Sequence, residues 1–115
     1  MTTFLTAVNG INIAVSEELT GFAFYQKQSS HIAFYGVNAD TKQLVVQYTN
    51  GKCVVFNEIP PALLAESTIT PSIGKFLHSK IYGKFADHAI EDNSITVAPE
   101  AEEVDDDLLF FDEQL

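Results

Sequence analysis

Two Asn-Gly pairs, Asn9-Gly10 and Asn50-Gly51, restrict the fold of this chain more than any other feature. Asn-Gly supplies the left-handed positions of a tight hairpin turn, which joins adjacent antiparallel strands. Each pair stands between apolar, β-prone runs: Thr3–Val8 and Ile11–Val15 around the first, Leu44–Tyr48 and Lys52–Phe56 around the second. In the run 11–15, Ile11, Ile13 and Val15 alternate with Asn12 and Ala14, so one face is more apolar than the other. Between the hairpins, Gly21–Tyr25 and His31–Val37 are aromatic and β-prone. Polar breaks at 16–20 and 26–30 and turn chemistry at 38–42 separate these runs. Short connections make neighbouring strands antiparallel, so residues 3–57 read as a meander of about five to six short strands.

At Pro60-Pro61 the pattern changes. Pro61 is suited to open a helix near 61–68. Thr70 as cap and Pro71 at the first helical position predict a second helix over 71–87. Ile73, Leu77, Ile81 and Phe85 give that helix one apolar stripe. Gly74 and Gly83 weaken it by roughly 1 kcal/mol each against Ala, so packing or a close partner is needed to explain them. Asn93–Val97 reads as a last strand. The fold class is therefore α+β: an antiparallel meander, then two helices packed on the sheet, then a disordered acidic tail. The chain divides into an N-terminal β-hairpin extension (1–28), a folded domain (29–90) and an acidic tail with an apolar tip (91–115).

Charge supports the last boundary. Residues 1–90 hold all six lysines and six acids, so the net charge of −10 lies wholly in 91–115. Blocks of like charge repel themselves and seldom fold alone. Asp105, Asp106 and Asp107 run into Leu108, Leu109, Phe110 and Phe111. Either this apolar knot folds back onto the protein's own core, or it docks a partner. In the second case the acids steer it to a basic rim and the two rings fill an apolar pocket.

Several classes are disfavoured. No apolar run approaches the ~18 residues of a membrane span. The N-terminus lacks the basic region and long apolar run of a signal peptide. Cys53 is the single cysteine and cannot form an internal disulfide, which fits a reducing compartment. The expectation is a cytoplasmic protein. His31, His78 and His88 do not pair at metal-ligand spacing. No phosphate loop, Gly-x-Ser-x-Gly or Cys-x-x-Cys occurs. The residues predict no catalytic site, no metal and no cofactor.

The surface chemistry that remains is a group of lysines and a surplus of rings. Lys75, Lys80 and Lys84 fall on the second helix with His78 and Tyr82 among them. Phe22, Phe24, Tyr25, Phe34, Tyr35, Tyr48 and Phe56 exceed what one face of a small core needs. In the pairs 24–25 and 34–35 the rings point to opposite faces. Rings exposed beside lysines are the chemistry of single-strand binding, where rings stack on bases and ammonium groups follow phosphates. The candidate nucleic-acid-binding residues are Lys75, Lys80, Lys84, Tyr82, Tyr35, Tyr48 and Phe56. The alternative is that the helices cover one face, the hairpin or a second subunit covers the other, and the lysines are simply solvated.

Ser29-Ser30 before a strand, the Leu44–Tyr48 strand ending in Asn50-Gly51, Ile59-Pro60 and Ser72-Ile-Gly-Lys-Phe76 together resemble the KTSC domain family. That module occurs at the C-terminus of some lysyl-tRNA synthetases and as a stand-alone bacterial or phage protein. The resemblance covers Ser29 to Phe85. The family's central Tyr-x-Tyr falls at Val54-Val55-Phe56, where the first aromatic is absent. The resemblance implies an RNA- or nucleic-acid-binding role. Separately, Asp105–Phe111 is similar to the acidic tip of bacterial and phage single-stranded DNA-binding proteins, which implies recruitment of replication or recombination proteins and competition with nucleic acid. Four residues, Asp112 to Leu115, follow the phenylalanines here.

Together these readings predict a small single-stranded nucleic-acid-binding protein, with DNA ahead of RNA, whose tail recruits partners and regulates binding; a phage origin is compatible with them. A homo-oligomer is compatible with them. The rival is an acidic interaction module or DNA mimic that occupies a basic groove on another protein.

Overall fold

The computed structural model describes residues 3–27 and 29–98. In chain order the elements are β1 (Thr3–Val8), β2 (Ile11–Ser16), β3 (Ala23–Tyr25), β4 (Ile32–Asn38), β5 (Gln43–Tyr48), β6 (Cys53–Phe56), α1 (Pro61–Ile69), α2 (Ile73–Phe76), β7 (Asp87–Ile90) and β8 (Ile95–Val97). Both Asn-Gly pairs sit in hairpin turns. Around the first, β1 and β2 pair from Thr3↔Ser16 to Val8↔Ile11, and Asn9 and Gly10 have φ of 51° and 79°. The second turn is longer. Only Gly51 is left-handed (φ 94°), and Tyr48 N–H donates to the Lys52 carbonyl across the Thr49-Asn50-Gly51 loop. This is how a three-residue hairpin loop closes.

The strands do not form one meander. They build a three-stranded antiparallel sheet, β1-β2-β8, and a five-stranded one, β3-β4-β5-β6-β7. A 3₁₀ turn at Glu17–Leu19 and left-handed Gly21 (φ 93°) redirect the chain after β2. The free edge of β2 then pairs with β8, from Ile13↔Val97 to Val15↔Ile95. So part of the segment that charge alone assigns to the tail, residues 91–98, is folded. The acidic run beyond it lies outside the described residues.

A register shift between Ile32 and Phe34 turns both Ile32 and Tyr35 to one face of the five-stranded sheet. That front face carries Ile32, Tyr35, Leu44, Val46 and Phe56, packed under Leu64, Ile73, Phe76, Leu77 and Ile81 of the helical layer. The back face presents Phe34, Val45 and Val55 to Val8, Ile13, Val15 and Ile95 of the small sheet, with Leu19 between. The result is three layers with two cores. The surplus rings are thereby accounted for: Phe34 is buried in the back core, and Phe22 and Phe24 stack at 6.3 Å against it.

The helices start where proline or a cap allows and stop early. Pro61 opens α1 as expected. Thr70 ends α1 instead of capping α2, and the cap is Ser72, whose Oγ accepts from Lys75 N–H at 3.3 Å. α2 runs into a π-helical turn, Leu77–Ile81, and ends there. Gly83 at φ 76° turns the chain, and Asp87–Ile90 adds to the edge of β6 as β7. The helix expected over 71–87 thus occupies 73–81. Ile73, Leu77 and Ile81 are buried as the stripe demands, whereas Phe85 lies past the turn and is half-buried. No helix among the described residues is long and apolar enough to cross a membrane.

The two layers of sheet are also joined by a polar clamp. Gln47, on the back face of β5, is buried. Its Nε2 donates to the Ile95 carbonyl (2.7 Å) and its Oε1 accepts from Ile95 N–H (2.8 Å). The side chain does for β8 what a further strand would do: it satisfies both backbone groups that face away from β2. The Cys53 thiol donates to the same Oε1 at 3.0 Å. Burial pushes the Cys53 thiol pKa up, so it stays a neutral core group.

Candidate functional site

At one end of the front face lies a concavity of ≈ 870 Å³, large enough for a small organic ligand. Three pieces of chain form it. Ser29, Ser30, His31 and Ile32 lead into β4; Tyr48 ends β5; Ser72, Ile73, Gly74, Lys75, His78, Ser79 and Tyr82 come from α2, its π turn and the residue after. The wall is rich in hydroxyls, with one ammonium and two imidazoles, and contains no carboxylate. That lining favours an anion or an acceptor-rich ligand.

Tyr82 organises the floor. Its hydroxyl lies 2.6 Å from that of Tyr48, its ring tilts against Phe56 at 5.9 Å, and the His78 ring meets it edge-on at 4.9 Å. Burial, and then the bond to Tyr82, push the Tyr48 phenol well above its ordinary value. Either hydroxyl of the pair can be the donor, which leaves the other free to donate into the concavity. At the rim, Ser29 Oγ accepts from the backbone N–H groups of His31 and Ile32, both at 3.2 Å.

The two helix glycines that the sequence left unexplained separate here. Gly83 is required by its backbone, since φ 76° is strained for any residue with a Cβ. Gly74 is not. Its φ lies outside the left-handed region, and a Cβ built on it would meet nothing within 4 Å. Neither packing nor conformation calls for glycine there, yet the position costs the helix stability. It opens onto the concavity.

Of the residues expected to bind nucleic acid, the fold brings Lys75, Tyr48 and Tyr82 together in this wall. Lys80 lies outside it and pairs with Glu66 at 3.5 Å. Lys84 is exposed in the turn beyond and is not part of the lining. Tyr35 and Phe56 are core, which corrects their assignment as stacking platforms. Tyr35 is 0% exposed, stacks on Tyr25 and donates its hydroxyl to the Ser67 carbonyl at 2.8 Å; Phe56 is 3% exposed. The shift in β4 and the helical layer above place them there. Asp105, Asp106, Asp107, Leu108, Leu109, Phe110 and Phe111 lie outside the described residues. Side-chain chemistry alone missed Ser29, Ser30, His31, Ser72 and Ser79 as neighbours. The signal was in the segments that carry the family resemblance: Ser29-Ser30 and Ser72-Ile-Gly-Lys, far apart in sequence, line the same hollow.

The two-faced antiparallel sheet with its short helices, and the concavity between β4, β5 and α2, define a small α+β domain. Residues 28–85, just over half of the chain, match the family model of the KTSC domain, and the protein belongs to that family. The crystal structure of a KTSC domain protein from Yersinia pestis aligns with a TM-score of 0.57 at 23% identity, covering 61% of this chain and 99% of that one. At that identity the likeness concerns the fold. A search of curated proteins found no match.

Proposed function

We propose that the protein binds single-stranded nucleic acid and seats one nucleotide in the front concavity. The observation that carries this reading is Gly74. A glycine inside a helical segment, free of any packing or backbone requirement and opening onto a carboxylate-free hollow, fits a place where a ligand approaches the main chain closely. Around it, Lys75 and the hydroxyls of Ser29, Ser30, Ser72 and Ser79 supply phosphate partners, and the Tyr82–His78 pair supplies a surface on which a base can stack. In the same reading the acidic segment 105–111 recruits a replication or recombination protein.

Gly74→Ala tests it with two readouts that move in opposite directions. The helical segment gains roughly 0.5–1 kcal/mol, a few degrees in thermal melting. Affinity for a labelled single-stranded oligonucleotide falls, because the new methyl stands in the mouth of the site. A variant that melts higher and binds as before removes the site from this concavity, and a wild-type protein without single-strand affinity removes the function.

A further inference from the structure

The concavity has a neighbour. A smaller hollow of ≈ 360 Å³ is walled by Asn9, Gln26, Lys27, Ala33 and Thr49, and shares Ser29 and Ile32 with the larger one. Its lining also contains no carboxylate. Ser29 therefore stands on the ridge between two hollows. A hydroxyl oxygen has two acceptor sites and one proton to give. The N–H groups of His31 and Ile32 take both acceptor sites, so Ser29 can only donate to anything lying across the ridge. Lys27 flanks the far side. Its ammonium donates to the carbonyls of Thr68 (2.9 Å) and Thr70 (3.0 Å) at the end of α1, which leaves one of its three N–H groups. Lys75 flanks the near side. A bridging group that is anionic and accepts but cannot donate matches this arrangement, and a phosphodiester is such a group.

The outer wall comes from a part of the chain beyond the family match at 28–85. Asn9 is the tip of the β1–β2 hairpin, and its Nδ2 donates to the Gln26 carbonyl at 2.8 Å, which holds the tip beside the hollow. The hairpin thus covers the back core and also extends the site.

We propose that the smaller hollow is a second nucleotide subsite, so that two consecutive nucleotides of a single strand bind with their linking phosphodiester on Ser29. This rests on the reading of the larger concavity as a nucleotide site. The experiment compares binding of 5′-thymidylate and its 5′-phosphorylated dinucleotide to the intact protein by calorimetry. The dinucleotide binds about tenfold more tightly than the mononucleotide. Thr49→Glu, an exposed position, sets a carboxylate beside the bridging phosphate and cuts that ratio to below about threefold. Asn9→Gly, which keeps the positive φ, lowers the ratio by a smaller factor. A mononucleotide that binds while the dinucleotide binds no better overturns the second subsite alone. So does a Thr49→Glu protein that keeps the full ratio. Failure of both ligands to bind overturns the first site together with the second.

Discussion

The two faces of the five-stranded sheet have been finished in opposite ways. On the back, the small sheet covers the core side chains, and the buried Gln47 has its amide matched to both backbone groups of Ile95. On the front, the helical layer covers the sheet centre but stops short at one end, where Tyr48 is half-buried and the wall of the concavity begins. Gln47 and Tyr48 are neighbours in β5, one on each face. The contrast separates polar groups buried to hold the fold from polar groups left at an opening, where water or a ligand completes them.

The largest expected effect comes from setting these neighbours side by side. Gln47→Leu leaves the N–H and C=O of Ile95 buried without partners and costs about 2–4 kcal/mol. Tyr48→Phe removes a hydroxyl beside solvent and costs under about 1 kcal/mol. Urea unfolding of the two variants checks the pair. Equal losses would erase the distinction between a sealed and an open face.

The next effect belongs to the deep part of the front core. Burial, and then the neighbouring Tyr25, push the Tyr35 phenol up to about 12 from 10.0. A folded-state value above the unfolded one means the native state holds its proton more tightly. Its contribution is intact below pH 10 and is lost as pH rises toward 12, by about 2–3 kcal/mol in total. Tyr48, shifted in the same direction, adds to the slope with the same sign. Denaturant titrations at several pH values in that window show a falling stability, and Tyr35→Phe reduces the slope to the part due to Tyr48. A variant with the wild-type slope would mean that Tyr35 ionises without unfolding.

The smallest effect sharpens the open end. Lys75→Gln weakens single-strand binding and lowers the magnitude of its logarithmic salt slope by about one, the signature of one lost phosphate contact. Lys80→Gln changes affinity less than about twofold, since that lysine spends itself on a surface ion pair with Glu66. The reverse order would move the site from the concavity to the outer side of the π turn.

Much of the fold was legible because it is local. Asn-Gly pairs, β-branched runs and Pro61 act over a few residues, and β1 to β6, α1 and β8 appear close to where those signals lie. What pairs with what was not local. Nothing in Ile11–Ser16 says that its second partner is Ile95–Val97 and not the next strand, because that choice is made by the back core. β7, Asp-His-Ala-Ile, carries no alternation and is a strand because β6 offers it an edge. Phe85 continued the 73-77-81 spacing on paper, but Gly83 ends the helical path before it. The site was half visible. Lys75, Tyr48 and Tyr82 stood out by chemistry. The serines did not, since a serine carries no periodic signal and becomes a site only when a fold sets several together. The aromatic surplus misled for a related reason: it belongs to two cores, and composition counts rings without saying how many cores they fill.

The β2–β8 pairing has a consequence for how the chain assembles. The Thr96 hydroxyl reaches the carbonyl of Ala14 across 82 positions of sequence. Closing so long a loop costs entropy before any contact repays it, and such contacts form late in folding. The β1–β2 hairpin thus leaves a ribosome ahead of every other described element and is among the last to find its complete surroundings. Until residues 95–97 emerge, Ile13 and Val15 have no β8 beside them, and Gln47 has no backbone to clamp. The interval between those two events is when the young chain is most exposed to sticking to others. It is shortened by whatever brings β8 in quickly, and the left-handed turn at Asn93, whose N–H bonds the Gly51 carbonyl at 2.7 Å, is the step that sets its direction.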